Sequence, residues 1–210
     1  DLTPPNAGDG PTVIKLLPND NDSLDVLADS AYGSGESLAK LAGAEHRILI
    51  KPWPLARNTN LGEDQFNRDD FTIDYVARTV TCLNNATTHI TASSAAAFGT
   101  KCRGCPLRSR CTAAVDGKTF KVTEHDQHLA ANRATWRTNS DLIADYRQHR
   151  PMVERTIAWL VTNGHRRCRH RGVERNKIAF STQAAVVNLK RLVNLGLAHN
   201  GTTWNLAPTN

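Results

Sequence analysis

Two acidic residues and four cysteines have the types and spacing to do chemistry in this chain of 210 residues. Asp29 follows Ser23-Leu24-Asp25-Val26-Leu27-Ala28, an apolar run that predicts a buried strand ending before a Tyr-Gly-Ser-Gly turn. A carboxylate at the carboxyl end of such a strand faces the crevice where open α/β sheets take ligands. Glu154 lies within Arg150-Pro151-Met152-Val153-Glu154-Arg155-Thr156-Ile157-Ala158-Trp159. There Pro151 suits a first helical position, and Val153, Ile157, Leu160 and Val161 follow the spacing of one buried helix face that Glu154 flanks. Each acid also has a purely structural reading, because Asp is common where a strand enters a turn and Glu near a helix start is favoured by the macrodipole.

The cysteines are Cys82, the pair in Cys102-Arg103-Gly104-Cys105, and Cys111. A C-x-x-C spacing lets two thiolates grip one ion, and Cys82 and Cys111 bring the count to the four of a tetrahedral structural Zn²⁺ site. The C-x5-C step from Cys105 to Cys111 is looser than in a zinc ribbon. An iron–sulfur cluster would use the same ligands, and four reduced thiols in the core or on the surface are the other reading. Disulfides fit poorly with a cytoplasmic protein. Cys168 stands alone and reads as structural.

Three kinds of segment must position these groups. Residues 12–45 read as strand, loop and a short helix with Leu38 and Leu41 inward and Gly43 as its stop. Residues 46–128 hold β-type runs at 48–50, 71–76, 79–81 and 119–122, several alternating with period two. From Asn132 onward the chain reads as helical, ending in a helix over about 178–195 that Gly196 closes. No run is apolar enough to span a membrane, and the amino terminus lacks a signal-peptide pattern, so a cytoplasmic location is the default.

The formal net charge is +6, unevenly spread. Residues 1–30 hold six Asp and one Lys, whereas residues 147–191 hold eleven Lys/Arg against only Glu154 and Glu174. The densest basic part, His165-Arg166-Arg167-Cys168-Arg169-His170-Arg171-Gly172, would neutralise phosphates. A solvated basic loop is the plainer reading.

With their flanking residues, the two acids resemble the second Asp and the Glu of the DDE transposases of bacterial insertion sequences. Asp29-Ser30-Ala31-Tyr32-Gly33 is similar to that family's Asp-Ser-x-Tyr-Gly segment, and Arg150-Pro151-Met152-Val153-Glu154-Arg155 to its Arg-Pro-x-x-Glu-Arg segment. Thr3-Pro4-Pro5-Asn6-Ala7-Gly8-Asp9 resembles the Thr-Pro-x-Asn-x-x-Asp stretch before the second Asp, and Asn188-Leu189-Lys190-Arg191-Leu192 the closing helix. Two positions depart from the pattern: Tyr146 and Arg150 are four apart where the family has Tyr-x-x-Arg, and Val161 stands where a Lys is frequent. The family's first catalytic Asp lies upstream of the Thr-Pro stretch, and no residue here takes its place, so these 210 residues are expected to be inactive alone.

The resemblance implies an α/β fold, a partial ribonuclease-H-like mixed sheet with a β-rich, Cys-containing insertion and a helical carboxyl-terminal part. Residues 1–45 would be the core carrying the second Asp, 46–128 the insertion, and 129–210 the helical remainder carrying the Glu and the basic segment. Asp29 and Glu154 are 154 − 29 = 125 residues apart, so the insertion must return its ends close together and leave the two acids as neighbours. The implied activity is divalent-metal-dependent cleavage and transfer of DNA strands at transposon ends, with Asp29 and Glu154 each holding Mg²⁺ or Mn²⁺. Arg150 and Arg155 could hold phosphates near the metals or brace the Glu, and Arg166, Arg167, Arg169 and Arg171 are candidates for DNA-backbone contacts. Expected partners are double-stranded DNA, both transposon terminal inverted repeats and target DNA, with a homodimer admitted in the DNA complex, no membrane, and a nucleoid-associated location. The rival is a non-catalytic, metal-stapled DNA-binding module, or a decayed transposase remnant.

Overall fold

The computed structural model describes residues 14–17, 22–56, 61–165, 167–168 and 170–206. The Thr3–Asp9 stretch, Arg166 and Arg169 lie outside these. The protein is mixed α/β, with four small sheets among the described residues. One compact unit holds the described residues through Tyr146, and the second holds those from Arg147 onward. No described helix is long and apolar enough to cross a membrane.

The first unit opens with a strand–helix–strand motif. Strands β1 (Asp25–Ala28) and β2 (Arg47–Ile50) pair in parallel, Val26 beside Ile48 and Ala28 beside Ile50. The connection between them is helix α1 (Gly35–Gly43), as a parallel pair requires. Its start is set by Ser34, whose Oγ accepts the Ser37 N–H at 3.1 Å. Leu38 and Leu41, three apart on one face, join Val26 and Ile50 in a core where Leu41 has no exposure. Burying each such leucine contributes about 1.5–3 kcal/mol.

A second core of the same unit is built from β-type segments. Strands β3 (Thr72–Asp74), β4 (Thr79–Thr81) and β5 (Thr87–His89) form an antiparallel meander. Strands β6 (Ala95–Ala97) and β7 (Thr119–Lys121) form a separate antiparallel pair. Phe71, Phe98 and Phe120 meet between them, the rings of Phe71 and Phe120 edge-on at 4.5 Å. Cys102 and Cys111 are buried in this core, and Cys82 packs against it.

Helix α2 (Asp126–Thr138) joins the two cores. It begins six residues before the expected Asn132 because buried polar partners, absent from any apolar periodicity, fix its start. Asp126 is buried, and its carboxylate accepts from Arg68 at 2.7 Å and from the Tyr75 hydroxyl at 2.9 Å. Farther along, Arg133 and Arg137 both grip Asp69. Asn132 donates to the Ile50 carbonyl at 3.2 Å, tying the helix to the end of β2.

Asn139 ends α2 and starts α3 (Ser140–Leu160), its Oδ1 accepting the Leu142 N–H at 2.9 Å. This cap and the buried Leu142 start the helix well before Pro151, so Pro151 lies inside the helix rather than at its first position. The stripe expected to be buried is also open: Val153, Ile157 and Val161 are 41–49% exposed. After a turn at Val161–His165, helix α4 (Val173–Asn194) follows and is closed by Gly196 at φ 80°. The Leu197 N–H returns to the Leu192 carbonyl at 2.9 Å, the six-to-one bond of a glycine-terminated helix. Short strands β8 (Ala198–His199) and β9 (Trp204–Asn205) complete the second unit.

Candidate functional site

Asp29 stands where the sequence places it, immediately after β1. Its backbone is extended, and its Oδ1 accepts the Ala31 N–H at 2.8 Å, capping the short 3-10 turn Ser30–Tyr32. That bond orients the half-buried carboxylate at the strand's carboxyl end. The turn is held from both sides. A Cβ on Gly33 would stand 3.1 Å from the Ile50 side chain, and one on Gly35 would stand 2.8 Å from His125 Cβ. Close approach therefore demands glycine at position 35, whereas at position 33 a Cβ would fit only if the Ile50 side chain gave way by a few tenths of an ångström.

Glu154 sits on the exposed surface of α3, and Arg150, one turn earlier, donates to its Oε1 at 2.5 Å. With the cation amino-terminal to the acid, this is the weaker order for an i, i+4 pair in a helix, and an exposed pair of this kind adds little stability. Its evident effect is to hold the carboxylate in one direction. Arg155 turns back instead, its Nε donating to the Pro151 carbonyl at 3.3 Å. Asp29 belongs to the first unit and Glu154 to the second.

The second unit also contains an open groove of about 370 Å³ between α3 and α4. Arg155, Lys190 and Arg191 line it together with Thr156 and Trp159. Lys190 Nζ lies over the Trp159 ring, 5.0 Å from its centre. Three cations and an indole in one groove suit a phosphodiester chain. The sequence reading missed Trp159, Lys190 and Arg191 as a group, because the groove joins positions more than thirty residues apart. Their one signal was a Lys-Arg pair within a helix otherwise rich in apolar residues.

Arg167 and Arg171 are exposed in the loop between α3 and α4. That loop is anchored by Asn176, which donates to the His170 and Gly172 carbonyls at 2.6 and 2.7 Å and accepts the His170 N–H at 3.1 Å. Gly172, at φ 89°, leads the chain into α4.

The four cysteines read as a group do come together: Cys82, Cys102, Cys105 and Cys111 all line one small cavity of about 20 Å³. Burial, with the other three thiols adding to it against the opposing charge of Lys118, pushes the Cys111 thiol up. Among the described residues, no three or more His, Cys, Asp or Glu side chains already stand in ligating arrangement. Cys168 is exposed and belongs to the other unit.

A family model described as "Transposase DDE domain" matches residues 77–193, more than half of the chain. No curated protein matches the chain, and no solved structure does. The matched stretch contains Glu154, the four clustered cysteines, the groove and the basic loop, whereas Asp29 lies before it. The chain belongs to the transposase DDE domain family.

Proposed function

We propose that this protein is the catalytic part of a bacterial insertion-sequence transposase, in which Asp29 and Glu154 hold divalent metal for cleavage and transfer of DNA strands. The observation that carries this reading is the family match across Glu154 and its Arg150 partner. The carboxylate oxygens of both acids suit Mg²⁺ or Mn²⁺, hard ions that keep several waters and are completed by substrate phosphate. Bound there, a metal pair would activate a water or a DNA 3′-hydroxyl and stabilise the leaving oxygen. The strand–helix–strand motif whose first strand ends at Asp29 favours a ribonuclease-H-like core, since such sheets present ligand sites at the carboxyl ends of their strands.

The residues of this chain have separate tasks. Ala31 and Gly35 fix the Asp29 loop, and Arg150 directs Glu154. Arg155, Lys190 and Arg191 receive the DNA backbone along the groove beside Trp159, and Arg167 and Arg171 extend that basic path. The family works with three carboxylates and two are assigned here, so these 210 residues by themselves are expected to bind DNA and metal without efficient strand cleavage.

Divalent-ion dependence separates this reading from a DNA-binding module with incidental acids. Affinity for a duplex is measured in Ca²⁺ and in EDTA at fixed ionic strength. A transposase site predicts tighter binding with Ca²⁺, an advantage that Glu154→Gln removes. Binding that is equally tight in EDTA and unaffected by Glu154→Gln would favour the module.

A further inference from the structure

The first unit contains a chemical group that strand cleavage does not use. Cys102 and Cys105 occupy the two ends of a tight turn. Arg103 has φ −72° and ψ 127°, Gly104 has φ 70°, and the Cys105 N–H points to the Cys102 carbonyl at 3.4 Å. These are the angles of a type II turn, which needs glycine at its third position and brings its first and fourth residues together. No atom lies within 4 Å of a Cβ built on Gly104, so it is the backbone angle and not lack of space that selects glycine.

Cys82 lies at the mouth of the β4–β5 hairpin. Its N–H donates to the Ala86 carbonyl at 2.9 Å, and its own carbonyl accepts the Asn85 N–H at 2.9 Å, with Asn85 left-handed at φ 58°. Cys111 ends the helical turn Arg108–Cys111. Three separate turns thus deliver four thiols to one cavity.

The charges around the cavity are as telling as the thiols. Lys101, Arg108 and Lys118 line it, and no carboxylate does. The Lys118 ammonium lies 5.3 Å from the centre of the Phe120 ring and takes part in no described ion pair with an acid. The Lys118 backbone N–H donates to Cys102 Sγ at 3.5 Å, and Arg108 donates to the Cys102 carbonyl at 3.2 Å. Gly117 allows this approach, because a Cβ there would stand 3.1 Å from Cys102 Sγ and 2.8 Å from the Gly99 carbonyl oxygen. Each cation is held by backbone carbonyls, Lys101 by that of Thr87, Lys118 by that of Cys111, and Arg108 by those of Cys102, Ala114 and Val115, and cations fixed in this way beside the thiols would neutralise a dianionic centre formed there.

We propose that Cys82, Cys102, Cys105 and Cys111 bind one structural Zn²⁺ as a tetrathiolate centre of net charge −2, neutralised by Lys101, Arg108 and Lys118. Each thiol turns about its single χ1 bond toward the cavity and gives its proton to solvent, so four protons leave as four Zn–S bonds form. The centre staples the β4–β5 hairpin to the segment 99–118, which β6 and β7 bracket. This assignment does not rest on the transposase reading, and it can fail or hold separately.

The test is metal analysis and Co²⁺ substitution of the full 210-residue chain, purified without chelator. One zinc per chain is expected, together with the visible absorption of tetrahedral thiolate-bound cobalt after exchange. Cys168→Ser should keep full metal content, and Cys105→Ser should lose most of it. Should Cys105→Ser fold too poorly to assay, the cobalt spectrum of the unaltered chain decides. Absence of metal after anaerobic reconstitution with Zn²⁺, or iron with inorganic sulfide at the cysteines, would overturn the proposal.

Discussion

Gly35 and Asp69 show how single residues hold the loop and the helix on which Asp29 depends. A Cβ at position 35 would meet His125 Cβ at 2.8 Å and the His125 carbonyl oxygen at 3.2 Å, and neither can swing away as a long side chain would. Gly35→Ala should therefore cost about 1–3 kcal/mol, as overpacking does, read as a lower urea midpoint with an unchanged slope. At Asp69, burial works against the charge, but the hydrogen bonds and charges of Arg133 and Arg137 outweigh it and hold the carboxyl below its ordinary value. A carboxyl depressed in the folded state adds stability above the unfolded value near pH 4, and that stability is lost as pH falls through the lower folded value. The stability gap between the unaltered protein and Asp69→Asn should be constant from neutral pH to about pH 5 and should narrow below it. A gap that widens on acidification would contradict this. Tyr75 is the complementary case: burial first, then Asp126, pushes its phenol up to about 12, so the hydroxyl remains a donor to Asp126 into alkaline solution.

At the scale of elements, local sequence pattern foretold those whose burial follows their own periodicity. β1, β2 and α1 were legible because Val26, Leu38, Leu41 and Ile50 announce one apolar face each. β6 was not legible, because three consecutive alanines favour helix by propensity. They form a strand because Ala96 packs opposite Phe120, with no exposure, across a pairing set 24 residues away. The error at Pro151 has a similar origin, since Asn139 and Leu142 start α3 by a cap and a buried side chain that outweigh a local proline signal. Pro151 leaves the Arg147 carbonyl without its helical donor, at the residue where the second unit begins. Pro151→Ala should raise the stability of this helix by up to about 3 kcal/mol, visible as a higher melting temperature by circular dichroism. In the α3–α4 groove, Lys190→Ala with Arg191→Ala should reduce the slope of log affinity against log salt for duplex DNA by about 1 for each phosphate that the protein then leaves unneutralised. An unchanged slope would remove the groove from the DNA path.

For the whole molecule, charge and chemistry divide along the chain. The acid-rich amino-terminal region leads to Asp29, and the basic carboxyl-terminal third surrounds Glu154. The two acids proposed as metal ligands are singled out in the sequence by their neighbours, Tyr32-Gly33 after one and Arg150-Pro151 before the other. The convergence of the cysteines was legible only as spacing, because the type II turn at Gly104, the hairpin at Asn85 and the cation shell from Lys101 to Lys118 arise from folding. The groove was not legible, since it assembles residues from two helices without a shared motif. The most direct test of the central claim, that Asp29 and Glu154 hold the catalytic metal, is metal-directed backbone cleavage. The protein bound to duplex DNA is loaded with Fe²⁺ and treated with ascorbate and peroxide, and the fragments are mapped by mass spectrometry. Cuts confined to the neighbourhoods of residues 29 and 154, suppressed by Mg²⁺ and absent in Asp29→Asn and Glu154→Gln, are the predicted result. Cleavage that avoids both segments, or that persists in both variants, would contradict it.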